Sequence, residues 1–175
     1  GITDLKGLND LVYMAKLLIN KNELTDLTPL ANMKNLVELD FSNNQVEDLT
    51  PLAKCTKMRD LRFNLNIVKD LSPIQNLAYL EKLHFRKNQD IESLAPLSKM
   101  SRLVELNCFN SNVTTLETIK HLNKITYLDI GHTKITSLTV FAHLKFLSYL
   151  SFTGCIIDDF GAVSYTHLRA HETRH

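Results

Sequence analysis

The sequence predicts an α/β solenoid, a curved right-handed superhelix with a parallel β-sheet on its concave face and short 3₁₀ or α turns on its convex face. Three observations lead to this prediction. The sequence DLTPL occurs at Asp26–Leu30 and again at Asp48–Leu52, 22 residues later. Apolar residues recur at the same spacing along nearly the whole chain, and an asparagine follows the apolar pair in each early repeat. A fixed period of this length indicates stacked repeats that share one core.

The strands are predicted from two apolar columns. The first column consists of leucines spaced 22 or 23 residues apart, at Leu17, Leu39, Leu61, Leu83, Leu106, Leu128 and Leu150. The second column stands two residues later, at Ile19, Phe41, Phe63, Phe85, Cys108, Ile130 and Phe152. Alternation at period two directs both columns to one face. Stacking about 4.8 Å apart gives a sheet roughly 30 Å long.

A polar column follows the strands. It contains asparagine in the first four repeats and then changes type: Asn22, Asn44, Asn66, Asn88, Ser111, Thr133 and Cys155. A buried, unpaired backbone group costs about 1–3 kcal/mol, so the asparagines are predicted to form a structural ladder that satisfies the backbone. The later substitutions predict a weaker C-terminal ladder. One extra residue between Asn88 and Ile91 predicts a small loop insertion.

The repeated DLTPL sequence predicts the convex turns. Thr28, Thr50 and Ser72 each precede a proline, as an N-cap hydroxyl precedes proline at the first helical position. All four prolines share this column, at Pro29, Pro51, Pro73 and Pro96. Thr118 and Val140 then replace proline, which predicts looser or differently shaped turns.

These motifs resemble a known family. The pattern LxxLxLxxNxI resembles the leucine-rich repeat, and the 22-residue period with DLTPL resembles its internalin-like class. The resemblance extends from Ile2 to about Ala162. It implies a protein–protein interaction module of a bacterial cell-surface or secreted protein. The alternative is an intracellular scaffold, because similar repeats occur in a regulatory subunit of a Ser/Thr protein phosphatase.

The domain is expected to span residues 1–162 and to be truncated at both ends. Residues 163–175 break the pattern and resemble one translated frame of a sequencing adapter, so we interpret them as a non-native tail. The tail contains an HExxH match at His171–His175. We do not interpret it as a zinc site, because the chain ends at the second histidine and the neighbouring residues show no buried helical stripe.

Composition limits the classes of partner. The formal net charge is +1, and no apolar run has the length of a membrane span, so neither nucleic acid binding nor membrane insertion by this segment is expected. Three cysteines without a CxxC motif predict no disulfide framework or structural zinc. His121 and His143 share a convex position and are interpreted as solvated rather than metal-binding. We expect a monomer without cofactor or metal, and no enzyme.

The candidate binding site lies on the predicted concave face. Its middle is basic and its C-terminal part aromatic, and the candidate protein-binding residues are Arg62, Lys82, His84, Arg86, Phe109, Tyr127 and Tyr149. Interface hot spots are enriched in Tyr and Arg, whereas a sheet face has no packing reason to expose aromatic rings. The partner predicted from this pattern is an acidic protein segment with an apolar anchor. The alternative is a solvated face with incidental aromatics.

Overall fold

The structure, a computed structural model, describes residues 1–160. One parallel sheet contains seven strands in sequence order. The strands are β1 (Lys16–Leu18), β2 (Glu38–Asp40), β3 (Asp60–Arg62), β4 (Lys82–His84), β5 (Glu105–Asn107), β6 (Tyr127–Asp129) and β7 (Tyr149–Ser151). The central leucines pair in register, so that Leu39 lies between Leu17 and Leu61. This arrangement confirms the predicted α/β solenoid.

Short 3₁₀ turns return the chain between strands. They lie at Lys6–Leu8, Thr28–Leu30, Thr50–Lys54, Ser72–Ile74, Ala95–Lys99, Glu117–Ile119 and Thr139–Ala142. The turns that lack proline at Thr118 and Val140 keep the 3₁₀ conformation. Glu117–Ile119 has three residues, the same length as Thr28–Leu30. Helices within residues 1–160 are all too short and too polar to cross a membrane.

The predicted hydroxyl caps are wrong. Each early turn begins after a leucine, and no side chain at that position caps it. The carboxylates of Asp26, Asp48 and Asp70 instead accept the backbone N–H of the Thr or Ser two residues later, at 2.7, 2.7 and 2.8 Å. A short Asp side chain reaches forward to this N–H in the manner of an Asx-turn. Hydroxyls occupy the same place in the later repeats, at Ser93, Thr115 and Ser137.

A single core fills the space between the sheet and the turns. The rings of Phe41, Phe63 and Phe85 stack at centroid distances of 5.6 and 5.8 Å. These rings and the central leucines of β2 to β6 are fully buried. Leu17 and Leu150 are only partly buried, because the outermost described strands have a neighbour on one side only.

Asparagine side chains connect successive repeats. Asn66 Nδ2 donates to the carbonyls of Phe63 and Phe41, both at 3.1 Å, and Oδ1 accepts the N–H of Val46 at 2.9 Å. Asn44 and Asn88 make the equivalent three bonds, and Asn22 Oδ1 accepts the N–H of Ile2. Each amide therefore satisfies groups of its own repeat and of the preceding one.

The expected domain boundary at residue 162 lies outside the described residues. So does the adapter-like segment 163–175 with its HExxH match.

Candidate functional site

Three rows of side chains cover the concave face, because alternate residues of each strand point away from the core. The first row contains Lys16, Glu38, Asp60, Lys82, Glu105, Tyr127 and Tyr149. The second row contains Leu18, Asp40, Arg62, His84, Asn107, Asp129 and Ser151. The third row, just after the strands, contains Asn20, Ser42, Asn64, Arg86, Phe109, Gly131 and Thr153. All seven predicted protein-binding residues lie in these rows.

Ion pairs neutralise most of the cations in the middle of the face. Arg62 contacts both carboxylate oxygens of Asp60, at 2.9 and 2.7 Å. This hydrogen bonding raises the pKa of Arg62 above its usual value. Lys82 Nζ lies 2.6 Å from Glu105 Oε1. The basic centre expected from the sequence is therefore largely compensated by acidic neighbours, which removes much of the argument for an acidic partner.

Arg86 differs from these cations. It forms no ion pair within residues 1–160, and its guanidinium carbon lies 5.0 Å from the ring centroid of Phe109. The backbone N–H of Arg86 donates to Asn64 Oδ1 at 2.9 Å. A cation over an aromatic face is attracted by the ring quadrupole, so Arg86 and Phe109 hold each other in place.

His84 forms part of the floor of the face. Its side chain is 20% exposed, and Glu105 Oε2 lies 3.4 Å from Nε2 without hydrogen-bonding geometry. Burial, reinforced by the positive charge of Arg62, lowers the pKa of His84 below 6.5. The imidazole is therefore neutral at pH 7, and it adds no positive charge to the site.

Two tyrosines form a stacked pair at the C-terminal part of the face. The rings of Tyr127 and Tyr149 are 4.3 Å apart and within 3° of parallel. Tyr149 is 43% exposed, whereas Tyr127 and Phe109 are half-buried by their neighbours, so only one of the three aromatics is as exposed as expected. Burial, with the charge of Asp129, raises the pKa of Tyr127 to about 12, so its hydroxyl stays protonated at neutral pH.

Gly131 leaves room for the ring of Phe109. A Cβ added at Gly131 would lie 2.9 Å from Phe109 Cδ2, closer than real contacts allow. On its other side the Phe109 ring meets His132 edge-on, with centroids 5.1 Å apart. Sequence reasoning missed Gly131 and His132. The available signal was the glycine itself, because every earlier repeat has a larger residue in that column.

Asp129 is a further residue that the sequence did not single out. Its Oδ1 accepts the Gly131 N–H at 3.1 Å, and its Oδ2 accepts from Asn107 Nδ2 at 3.3 Å. No Lys or Arg of residues 1–160 forms an ion pair with it, in contrast to Asp60 and Glu105. The Asp129 carboxylate therefore has hydrogen-bond partners but no cationic partner among the described residues.

One of the two convex histidines bonds to the backbone. His121 Nε2 lies 2.5 Å from the Ser98 carbonyl oxygen, a hydrogen bond to the backbone. No group of three or more His, Cys, Asp or Glu side chains in residues 1–160 could hold a metal ion. All three cysteines are free thiols.

Comparison with known proteins supports the repeat assignment. A family model describing two copies of leucine-rich repeats matches residues 15–54 and 34–76. Internalin C2 from Listeria monocytogenes superposes with a TM-score of 0.81 and 24% identity, over 88% of this chain and 78% of that one. Internalin F from the same species gives a TM-score of 0.53 and 27% identity, over 90% of this chain and 59% of that one.

A more distant structure is also similar. The plant peptide hormone receptor RGFR1, in complex with RGF2, gives a TM-score of 0.68 and 18% identity, over 78% of this chain and 24% of that one. No curated protein sequence matches the chain significantly. The two internalins and the family model confirm the resemblance to leucine-rich repeats of the internalin-like class.

Proposed function

We propose that this leucine-rich repeat, internalin-like protein binds a protein or peptide through the C-terminal part of its concave face. The observation that carries the proposal is the stacked pair of Tyr127 and Tyr149, which lies on the same face as Phe109. Aromatic rings are enriched at interface hot spots. Because stacking already restricts both rings, binding costs little further side-chain entropy.

The remainder of the face supports this location. Towards the N-terminus the ion pairs Lys16–Glu38 and Arg62–Asp60 have no net charge and stay partly exposed. Such pairs add little to affinity, because their charges already interact with each other. The aromatic part has no comparable internal compensation. The receptor RGFR1, solved with RGF2, is a precedent for ligand binding by this fold.

The experiment is a selection of binding peptides from a random phage-displayed library on the full chain. Tyr127→Ala and Arg86→Ala should weaken the selected peptides by about 2 kcal/mol, or roughly thirtyfold in Kd, with nearly unchanged melting temperature. Lys54→Ala and Lys99→Ala, both on exposed convex turns, are the controls and should leave Kd within about twofold. Loss of binding in the convex variants but not in the concave ones would refute the site.

We further propose that the natural protein is secreted or displayed on a bacterial surface, as the likeness to internalins suggests. The flanking coding sequence provides the test. A secretory signal before this domain, with a surface anchor or a secreted end after it, is the expected result. A flanking sequence of another leucine-rich repeat scaffold, without such signals, would contradict the proposal and favour the intracellular alternative.

A further inference from the structure

We infer that Asp129 receives a cationic side chain of the partner, with arginine the best fit. The inference rests on the proposed function and specifies the chemistry of the ligand at that same site. It differs from what the sequence pattern suggested, which was an acidic partner segment. The reason for the difference is that the structure shows which charges on the face are already paired.

The position of Asp129 gives the first argument. Tyr127, Asp129 and Gly131 point to the same face, because they alternate along one strand and its extension. The ring of Phe109 lies against Gly131, and the ring of Tyr127 stacks on Tyr149. Asp129 thus stands between two aromatic groups. The next repeat presents only Ser151 and Thr153 beside it, so small side chains leave space on that flank.

The charge distribution gives the second argument. Three concave carboxylates, Glu38, Asp60 and Glu105, form ion pairs with Lys or Arg. A fourth, Asp40, stands opposite Arg62 in the strand register, and its charge helps to raise the pKa of Arg62. Asp129 stands opposite Asn107 and Ser151, both uncharged. Among the concave carboxylates of the described residues, Asp129 is therefore the one without a neighbouring cation. A cation of the partner would form an ion pair with it.

The Asp129 carboxylate and the aromatic rings on either side of it both favour arginine over lysine. A guanidinium can bind a carboxylate through two N–H groups and can stack on an aromatic face at the same time. Lysine offers only a compact, strongly hydrated charge. Arg86 does not occupy the site, because it lies over Phe109 and its strand is two removed from β6, about 10 Å away. At that separation, physiological salt screens much of its repulsion of a bound cation.

The test uses the peptides selected on the full chain as described above. The expected sequences share an Arg or Lys next to an apolar residue, and replacing the Arg by citrulline should weaken binding about tenfold. Asp129→Asn should cause a similar loss on the parent peptide and no further loss on the citrulline peptide, as measured by calorimetry. The asparagine keeps an oxygen that can accept the Gly131 N–H, so folding should be preserved, and an unchanged melting temperature checks this.

Asp40→Asn is the matched control. It removes the same charge from the same row and should leave binding within about twofold. The inference is overturned if the selected peptides lack a cation, or if Asp129→Asn changes Kd no more than Asp40→Asn. Failure of the inference differs from failure of the proposed function. In the first case Tyr127→Ala still weakens the peptides, and in the second it does not.

Discussion

The first four repeats and the last three differ in most of the polar and aromatic positions that connect one repeat to the next. The change occurs at one place, around the extra residue between Asn88 and Ile91. Before it stand the asparagine ladder, the aspartate caps, the stacked phenylalanines and three of the four prolines, and Pro96 follows it. After it stand Ser111, Thr133 and Cys155 in the ladder column, hydroxyl caps, and Cys108 and Ile130 in place of phenylalanine. The two regions share a backbone geometry but are stabilised by different groups.

The ladder shows the physical consequence. Asn66 bridges two repeats with three hydrogen bonds, because an amide offers two donors and an acceptor. Ser111 Oγ donates to the Cys108 carbonyl at 2.7 Å, and Thr133 Oγ1 donates to that of Ile130, whereas the Cys155 thiol reaches back across one repeat to the same Ile130 carbonyl at 3.1 Å. The two hydroxyls thus bond within their own repeats, and the bond that crosses repeats in this column is a single one from a weak thiol donor. Because repeat proteins are stabilised by nearest-neighbour interfaces, the C-terminal repeats should be coupled less strongly.

The concave face changes at the same place. Its first part carries ion pairs, and its last part carries Phe109, Tyr127, Tyr149 and Asp129, which forms no ion pair with a Lys or Arg of residues 1–160. The region whose backbone is held by the asparagine ladder thus carries the ion-paired surface. The proposed recognition surface lies on the repeats with fewer ladder hydrogen bonds. Ligand-binding elements are often drawn from the less stable parts of a protein.

The largest expected effect tests the aromatic core of the first region. Phe63→Ala removes a fully buried ring stacked between two others and should lower the free energy of unfolding by about 3–5 kcal/mol. Cys108→Ala, at the equivalent position of the second region, removes only a sulfur atom and should cost about 1 kcal/mol. Denaturant unfolding measures both. A loss below about 1 kcal/mol for Phe63→Ala would contradict the register.

The ladder substitutions test the coupling between repeats. Asn66→Ala leaves the Val46 N–H and two carbonyls without their side-chain partner and should cost about 3 kcal/mol. Ser111→Ala removes one donor and should cost about 1 kcal/mol. The same unfolding measurement applies. Equal losses would mean that the two ladders couple the repeats equally, and would contradict the difference between the two regions.

The sequence was sufficient for the fold because each strand repeats the same apolar alternation, and a slip of one residue would expose Leu61 and Phe63 together. It was not sufficient for the caps, because Asp26 and Thr28 are both typical turn residues. Only the backbone conformation shows which of the two side chains accepts the backbone N–H. The sequence also did not show which residues adopt a left-handed backbone conformation. Lys21, Asn43 and Leu65 have φ near +60° without being glycine, because the shared turn before each ladder residue imposes it.

For the candidate site the limit was different. The sequence placed Arg62, Lys82 and Tyr127 on one face, because alternation alone decides that. It did not show that Asp60 and Glu105 neutralise the two cations, since pairing depends on side-chain conformations across strands. Asp129 was overlooked for the same reason. A carboxylate is informative only once its neighbours are known to carry no cation.

A smaller effect concerns the turns of the second region. Thr118 occupies the proline column, and its buried Oγ1 has no hydrogen-bond partner among residues 1–160. Thr118→Pro should therefore stabilise the protein by about 0.4–1 kcal/mol, because it restricts the unfolded chain and removes the unpaired hydroxyl. Thermal unfolding provides the measurement. Pro73→Thr is the reciprocal control and should destabilise, and a Thr118→Pro variant that melts earlier would show that the later turns differ in backbone shape.

The smallest expected effect is a difference between the two regions in how the stability of their turns depends on pH. The pKa values of Asp26 and Asp70 are lowered, first by the side-chain hydrogen bonds with Thr28 and Ser72 and then by the bonds from their backbone N–H groups. A lowered folded-state pKa means that the contribution to stability is complete above the unfolded value near 3.8 and is lost as the pH falls below it. The contribution is modest because both carboxylates are largely exposed to solvent.

Ser93, Thr115 and Ser137 cap the later turns with hydroxyls, which do not titrate in this range. Lowering the pH from about 6 to about 3 should therefore reduce the hydrogen-exchange protection of the Thr28 and Ser72 amides more than that of the Glu117 amide. Protection factors, corrected for the intrinsic pH dependence of exchange, give the comparison. Asp70→Ser reproduces the later cap and should make the amide of residue 72 respond to acid as Glu117 does. Greater acid sensitivity at Glu117 in the unaltered protein would show that the carboxylate caps are not what separates the two regions.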